Sequence, residues 1–304
     1  MPCSLKSLVV MPVDMISLSL SRGGAGRIFV LDALRGIAIL IVIFGHSLQK
    51  IYGTSPPHPV HKIILCFQME LFFVIAGYTA SLTTKGMFWP SLAKKVNRLL
   101  LPYLIWVTMS FVYGLYTGRA HWDFDSIWRY YFIHQFWFLR TMFYASVIHL
   151  MASKLYGMIA LKHSGMLGIV VAGLSAFILA MFVRDVLCDV SLPRYLMWFY
   201  IGFGLRFFIK LKADSKEHSL LGNCLAFLGR ESLALYALHW WIFYSFLPIP
   251  QCLSGYHTFM CACAVFVAWT IASIMIDAVM SRIPYLRYLL GKGALMTRGQ
   301  SPRC

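Results

Sequence analysis

The run RIFVLDALRGIAILIVIFGHSL (27–48) constrains this chain more than any other. It is apolar enough to enter a bilayer, yet it carries Asp32, Arg35 and His46. On an α-helix the step from Arg35 to His46 turns about 1100°, three turns plus roughly 20°, and rises about 16 Å. Both side chains therefore share one face at different depths, and Asp32 joins the same stripe one turn before Arg35. A charge inside a membrane helix costs roughly 2.5 kcal/mol or more and faces a bundle interior or a wet cavity. Gly36 and Gly45 leave room on this helix for another backbone or a ligand. Two readings of the stripe stand side by side. Arg35 snorkels to the interface and His46 is an interfacial histidine at the far end, or the stripe is functional.

The rest of the chain is of the same character. Of 304 residues, 60% are hydrophobic and 12% charged, where soluble chains carry about 25% charge. Mean hydropathy is +0.71. The expected fold is an all-α integral membrane protein, a polytopic bundle of about 8–10 transmembrane helices with both termini cytoplasmic. No long polar linker divides it, so one domain is expected over 27–292, between a basic, disordered tail over 1–26 and a basic tail over 293–304. Residues 1–26 hold no spanning apolar run and no small-residue cleavage site, so they read as a tail rather than a leader, with Met11 and Met15 as alternative starts. The formal charge of +16 comes from basic residues concentrated in loops, the positive-inside pattern, which disfavours a nucleic-acid partner and leaves a polyanionic small molecule open. The eight cysteines (Cys3, Cys66, Cys188, Cys224, Cys252, Cys261, Cys263, Cys304) form no CxxC pair, so neither zinc nor thioredoxin-like chemistry is expected, and no other metal. Cys188 and Cys252 fall in loops placed outside, where a disulfide is conceivable and free thiols are expected.

In order, span one covers about 28–48 and span two about 61–82, with Gln68 and Glu70 inside it. A basic turn with Lys85, Lys94, Lys95 and Arg98 leads into span three, about 98–117. HWDFDSIWRYYFIHQ (121–135) reads as an interfacial or re-entrant helix, with a ninth crossing or half of a broken pair as the alternatives. Spans four to eight cover about 136–157, 165–183, 195–211, 227–247 and 258–279.

Glu70 falls in the same outer half as His46, where a buried carboxylate can orient an imidazole; the competing reading pairs it with another buried base. Lys95 and Arg98 lie one helical turn apart and present two cations that suit a phosphate-rich ligand, or that serve only as flanking charge. Arg140, His149, His239 and Asp277 are further polar groups within spans, each more often a packing hydrogen bond than a catalyst. The chain has no Gly-rich phosphate loop, GxSxG elbow or HExxH motif.

Five stretches, taken in order, resemble acyltransferase family 3, the membrane acyltransferases of cell-surface glycans. LDALRGIAILIVIFGHS (31–47) is similar to its first-span arginine–ten residues–histidine signature, matched by Arg35 and His46. ELFFVIAGYTASL (70–82) resembles its FFxxSGY pattern, with Ala76 for the serine and Tyr78 in place. KKVNRLLLPYLIW (94–106) resembles its RxxR–P segment, with Lys95 for the first arginine. FWFLRTMFYA (136–145) resembles WFLxxL and contains Trp137. LGRESLALYALH (228–239) resembles GxxSLxIYxxH and ends on His239. Gln68 and Glu70 stand where many relatives have His-x-Pro, and Lys95 keeps the charge without the bidentate fork.

The resemblance implies transfer of an acyl group, most often acetyl from acetyl-CoA as co-substrate, to a hydroxyl of a cell-surface glycan or glycolipid, in the inner membrane. It implies His46 as general base or transient acyl carrier, Arg35 guiding the donor arm or polarising the thioester oxygen, and Glu70 orienting His46. Lys95 and Arg98, with Arg35, would hold the acyl-CoA. Asp32, Gln68, Tyr78, Trp137, Arg140 and His239 are carried as supporting residues. No permanently bound cofactor is expected; the partners are the acyl-CoA, a glycan or lipid-linked saccharide, and the bilayer. The competing class is a transporter or flippase for a glycan-lipid or small anion, which buried Arg, Glu and His also suit. A third reading, a non-catalytic scaffold, would make Arg35 and His46 dispensable.

Overall fold

A computed structural model of the chain describes residues 28–52, 58–80, 88–134, 136–159, 166–186, 189, 191–209, 211, 219–245 and 256–292, and among these residues it is helical with no strand. Both expected tails, Lys85, Cys188 and Cys252 lie outside the described residues; Cys66, Cys224, Cys261 and Cys263 are free thiols.

Helix α1 (Phe29–Tyr52) carries the whole Asp32–Arg35–His46 stripe, with Asp32 in its first turn and Lys50 in its last, the polarity that complements the helix dipole. Span two is not one helix. Helix α2 (Pro59–Leu65) starts on a proline and is capped by the His58 side chain, which accepts from the Val60 N–H. Cys66 and Phe67 then donate back to the Ile63 and Ile64 carbonyls, three residues behind, which tightens and ends the helix. Helix α3 (Gln68–Thr79) restarts at once, so Gln68 and Glu70 stand in a first turn rather than mid-span.

The basic stretch is not a turn. Helix α4 (Phe88–Lys95) runs through a π segment, Val96–Leu100, into α5 (Leu101–Tyr116), so Lys94, Lys95 and Arg98 lie on a continuing helix. The cause of the π segment is Pro102, which has no N–H and crowds the preceding turn; the Leu101 N–H reaches back five residues, to Val96. Next come the short α6 (Phe124–Trp128), capped by Asp123 on the Ser126 N–H at 2.7 Å, and a second π segment, Arg129–His134. Together they fall well short of the roughly 20 residues a crossing needs.

Helices α7 (Trp137–Ile159), α8 (Met166–Val186) and α9 (Leu192–Phe208) occupy the expected spans four to six. Span seven is broken: α10 (Leu220–Arg230) ends at Glu231 and α11 (Ser232–Ser245) begins beyond it. Helix α12 (Tyr256–Met280) is followed by a strap with one 3-10 turn, Leu286–Tyr288. Among the described residues, four stretches (29–52, 59–79, 88–116 and 258–280) are long and apolar enough to cross a membrane.

Two glycine crossings order the bundle. A Cβ on Gly36 of α1 would strike the Leu225 carbonyl of α10, and one on Gly229 would strike the Asp32 carbonyl in return. A Cβ on Gly77 of α3 would strike the Phe199 carbonyl of α9, and one on Gly202 the Val74 carbonyl. Backbone thus meets backbone at both crossings, as small residues permit between membrane helices. Beyond the first crossing α11 continues alongside α1 in the same direction, so that His239 arrives beside His46. Helices α3 and α9 likewise run the same way, from Glu70 against Arg194 to Tyr78 against Ile209.

Candidate functional site

His46 is half-buried on α1, held among three neighbours. Its Nδ1 lies 3.0 Å from Gln49 Oε1, one turn on. An amide oxygen only accepts, so Nδ1 is the donor in this contact, and in the neutral ring Nε2 then holds the lone pair. The His239 ring lies 5.4 Å away, centre to centre, tilted by 32°, and the Trp240 ring lies 5.1 Å away at 72°. His239 is fully buried, with Nδ1 2.9 Å from the Leu235 carbonyl one turn back on α11. Beyond Trp240 the rings of Phe136, Trp106 and Trp241 follow within 6.5 Å of one another. Phe136 adopts φ +52° at the junction into α7, a conformation that a bulky side chain seldom takes and that its burial enforces.

On the other side of His46, Gly45 makes room for the elbow between α2 and α3. A Cβ there would lie 2.9 Å from Ile64 Cγ2 and 3.0 Å from Gln68 Oε1. Gln68 Oε1 and His61 Nδ1 are buried and lack a hydrogen-bond partner. The elbow thus brings Gln68 to the histidine level.

Glu70, in contrast, turns to a different partner. It forms an ion pair with Arg194 in the first turn of α9, and its second oxygen, Oε2, is buried without a hydrogen bond. The orienting contact His46 receives is Gln49, not Glu70. The reason is the second glycine crossing, which draws α3 onto α9 and points the first turn of α3 at Arg194. Position in the first turn of a helix adds to the preference for a carboxylate there.

At the opposite end of the stripe, Arg35 Nη1 donates to Asp32 Oδ1 at 2.9 Å, which holds the guanidinium on the helix face. Lys95 and Arg98 are exposed. The π segment carrying Arg98 abuts the strap: the Arg98 carbonyl lies 2.9 Å from where a Cβ on Gly291 would stand.

The remaining expected residues divide between the site and the scaffold. Tyr78 donates to the Ile209 carbonyl at 2.6 Å and accepts from the Leu211 N–H at 2.9 Å, a staple between α3 and the end of α9. Trp137 packs on Tyr195 with ring centres 5.2 Å apart. Arg140 is buried; it donates to the Phe132 carbonyl and stands 3.6 Å from Asp189, while its Nε has no partner. Asp189 also accepts from Thr141 and, at 2.7 Å, from Ser191. The sequence gives no site role to Arg194 or Gln49, notes Asp189 only as one of two loop aspartates, and reads Trp240 as a belt or packing aromatic. Only the last had a local signal, as the neighbour of His239. Among the described residues no group of three or more His, Cys, Asp or Glu side chains is placed to hold a metal ion.

A partly buried imidazole with Nδ1 anchored is suited to take a proton or to attack a carbonyl through its other nitrogen.

Comparison with known proteins follows the same line. A family model described as an acyltransferase domain matches residues 28–276. The chain is 33% identical over 96 residues to the nodulation protein NolL of Sinorhizobium fredii and 35% identical over 96 residues to NolL of Mesorhizobium japonicum. Each match covers 30% of this chain and 26% of the relative. The chain therefore spans about a quarter of the length of these curated relatives. No solved structure matches it.

Proposed function

The chain belongs to acyltransferase family 3, and from that premise we propose that it moves an acetyl group from acetyl-CoA to a hydroxyl of a cell-envelope glycan or glycolipid, in the inner membrane. The observation that carries the proposal is the state of His46: partly buried beside Gln68, His239 and Trp240, with Nδ1 committed to Gln49, which in the neutral ring leaves Nε2 as base. In this reading Nε2 takes the hydroxyl proton as the oxygen attacks the thioester carbonyl. The carbon–sulfur bond breaks, and the thiolate leaves with that proton. The alternative course acylates Nε2 first and passes the acyl group to the hydroxyl second. Arg35 stands about 16 Å below His46, of the order of a pantetheine arm, and with Asp32 fixing its guanidinium it can steer that arm or polarise the thioester oxygen. Lys95 and Arg98, both exposed, offer charge to the donor's phosphates.

The test is CoA release from radiolabelled acetyl-CoA by the reconstituted protein, with label on protein followed in parallel, wild type beside His46→Ala. The expected result is a loss of at least 100-fold in the variant, the scale of a missing general base, with insertion and unfolding temperature retained. Near-normal release by the folded variant would remove His46 from the chemistry. No release by either protein, in the presence of any acyl-CoA, would favour a transporter for an anionic or glycan-linked substrate.

A further inference from the structure

His239 has no part in the mechanism above, yet its ring stands 5.4 Å from that of His46, beside Trp240 at 5.1 Å. The two imidazoles come from helices 193 positions apart in sequence and are brought level by the Gly36–Gly229 crossing. The two ring planes are tilted by 32° at 5.4 Å between centres, and the Trp240 ring packs on His46 at 5.1 Å and 72°. His239 cannot swing freely, because its Nδ1 is tied to the Leu235 carbonyl at 2.9 Å and the residue is buried to 0% exposure. A cation within about 6 Å of an aromatic face is attracted by the ring quadrupole, most strongly where water is excluded. His46 becomes such a cation when it takes the hydroxyl proton.

We propose that His239 is a positioning residue for His46: as a neutral ring locked on α11, it forms with Trp240 an aromatic seat that orients the His46 imidazole and stabilises its protonated form. The proposal rests on His46 as the base in the reading above. Around His46 the titratable groups are His61 of α2 and His239 of α11, and the uncharged polar groups are Gln49 of α1 and Gln68 of α3.

The experiment reads the protonation of His46 without relying on turnover. The full-length protein in lipid nanodiscs is treated with diethyl pyrocarbonate across a pH series, and carbethoxylation of His46 is scored by mass spectrometry in wild type, His239→Leu and His239→Phe. Neutral imidazole reacts, so the midpoint reports the proton affinity of His46. The expected result is a midpoint about one pH unit more acid in His239→Leu, a tenfold loss of proton affinity, with His239→Phe close to wild type because it keeps an aromatic face. An unchanged midpoint in His239→Leu overturns the proposal. So does a shift toward higher pH, which would make His239 a repelling charge. If His239→Leu fails to fold, the proposal stands or falls on His239→Phe alone, where a midpoint displaced by a full unit refutes it. CoA release is measured on the same samples. A midpoint shift in a wild-type background that releases no CoA would sustain the seat and refute the acyltransferase chemistry; release with no shift would do the reverse.

Discussion

Glu70 shows how a residue's role is decided by the partner that reaches it. Its side chain is 5% exposed and its charge is met by Arg194, whose own side chain is 57% exposed. The pair is therefore asymmetric: removing the arginine strands a buried carboxylate, while removing the carboxylate leaves an arginine that water can still reach. We expect Arg194→Ala to cost roughly 1–3 kcal/mol, below the figure for a fully buried pair because water screens the guanidinium. Glu70→Gln should cost less, and the double variant should recover part of the loss of Arg194→Ala. Thermal unfolding of the three proteins in one detergent is the measurement, and a strictly additive double variant would deny the coupling. If Glu70 acted on His46 directly, Glu70→Gln would instead strip activity at unchanged stability.

At the scale of the helix, α9 contains its own control. Gly202 faces the Val74 carbonyl with no room for a Cβ, whereas Gly204, two positions on and on the other side of the helix, has nothing within 4 Å. Gly202→Ala forces α3 and α9 apart and should cost about 1–3 kcal/mol, in line with overpacking elsewhere. Gly204→Ala should be neutral or stabilising by up to about 1 kcal/mol, the helix-propensity gain. The comparison is read as a difference in unfolding temperature. Equal effects at the two positions would show that propensity, not the crossing, sets the stability of α9. The breaks between helices differ in how local their cause is. Pro102 explains the π segment and could be anticipated from its own position, whereas the elbow at Cys66–Phe67 and the break at Glu231 contain neither proline nor glycine at the break itself.

For the molecule as a whole, the strap after α12 is the closing tie. Lys292 Nζ bonds to Asp277 at 2.6 Å, to Glu231 at 2.7 Å and to Ser281 at 2.7 Å, joining the α10–α11 break to the end of α12. Trp106 of α5 donates to the Leu289 carbonyl at 2.8 Å, which fastens the same strap to the helix that follows the basic π segment. Lys292→Met should cost roughly 2–3 kcal/mol by leaving two carboxylates side by side without their cation. Adding Asp277→Asn should restore a good part of it. Limited proteolysis after residue 280 checks the outcome, with faster cleavage expected in the single variant and near-wild-type protection in the double. Equal protection in all three would show that Leu289 and Leu290 hold the strap without the charges.

The Arg35–His46 stripe was legible in the amino-acid order because it lies on one helix, where a spacing of eleven residues converts into a common face with no knowledge of anything else. The helical character of the chain was legible for a similar reason, since backbone groups in an apolar medium must bond within their own segment. Gly36 also announced a close approach, though not to which helix. What only the tertiary structure decided is the set of partners: Arg194 for Glu70, 124 positions away, His239 for His46, and Lys292 for both Glu231 and Asp277. These choices depend on which helices cross and in which direction, and the crossings are set by backbone contact at glycines far apart in the chain. Periodicity along a single helix carries no information about that.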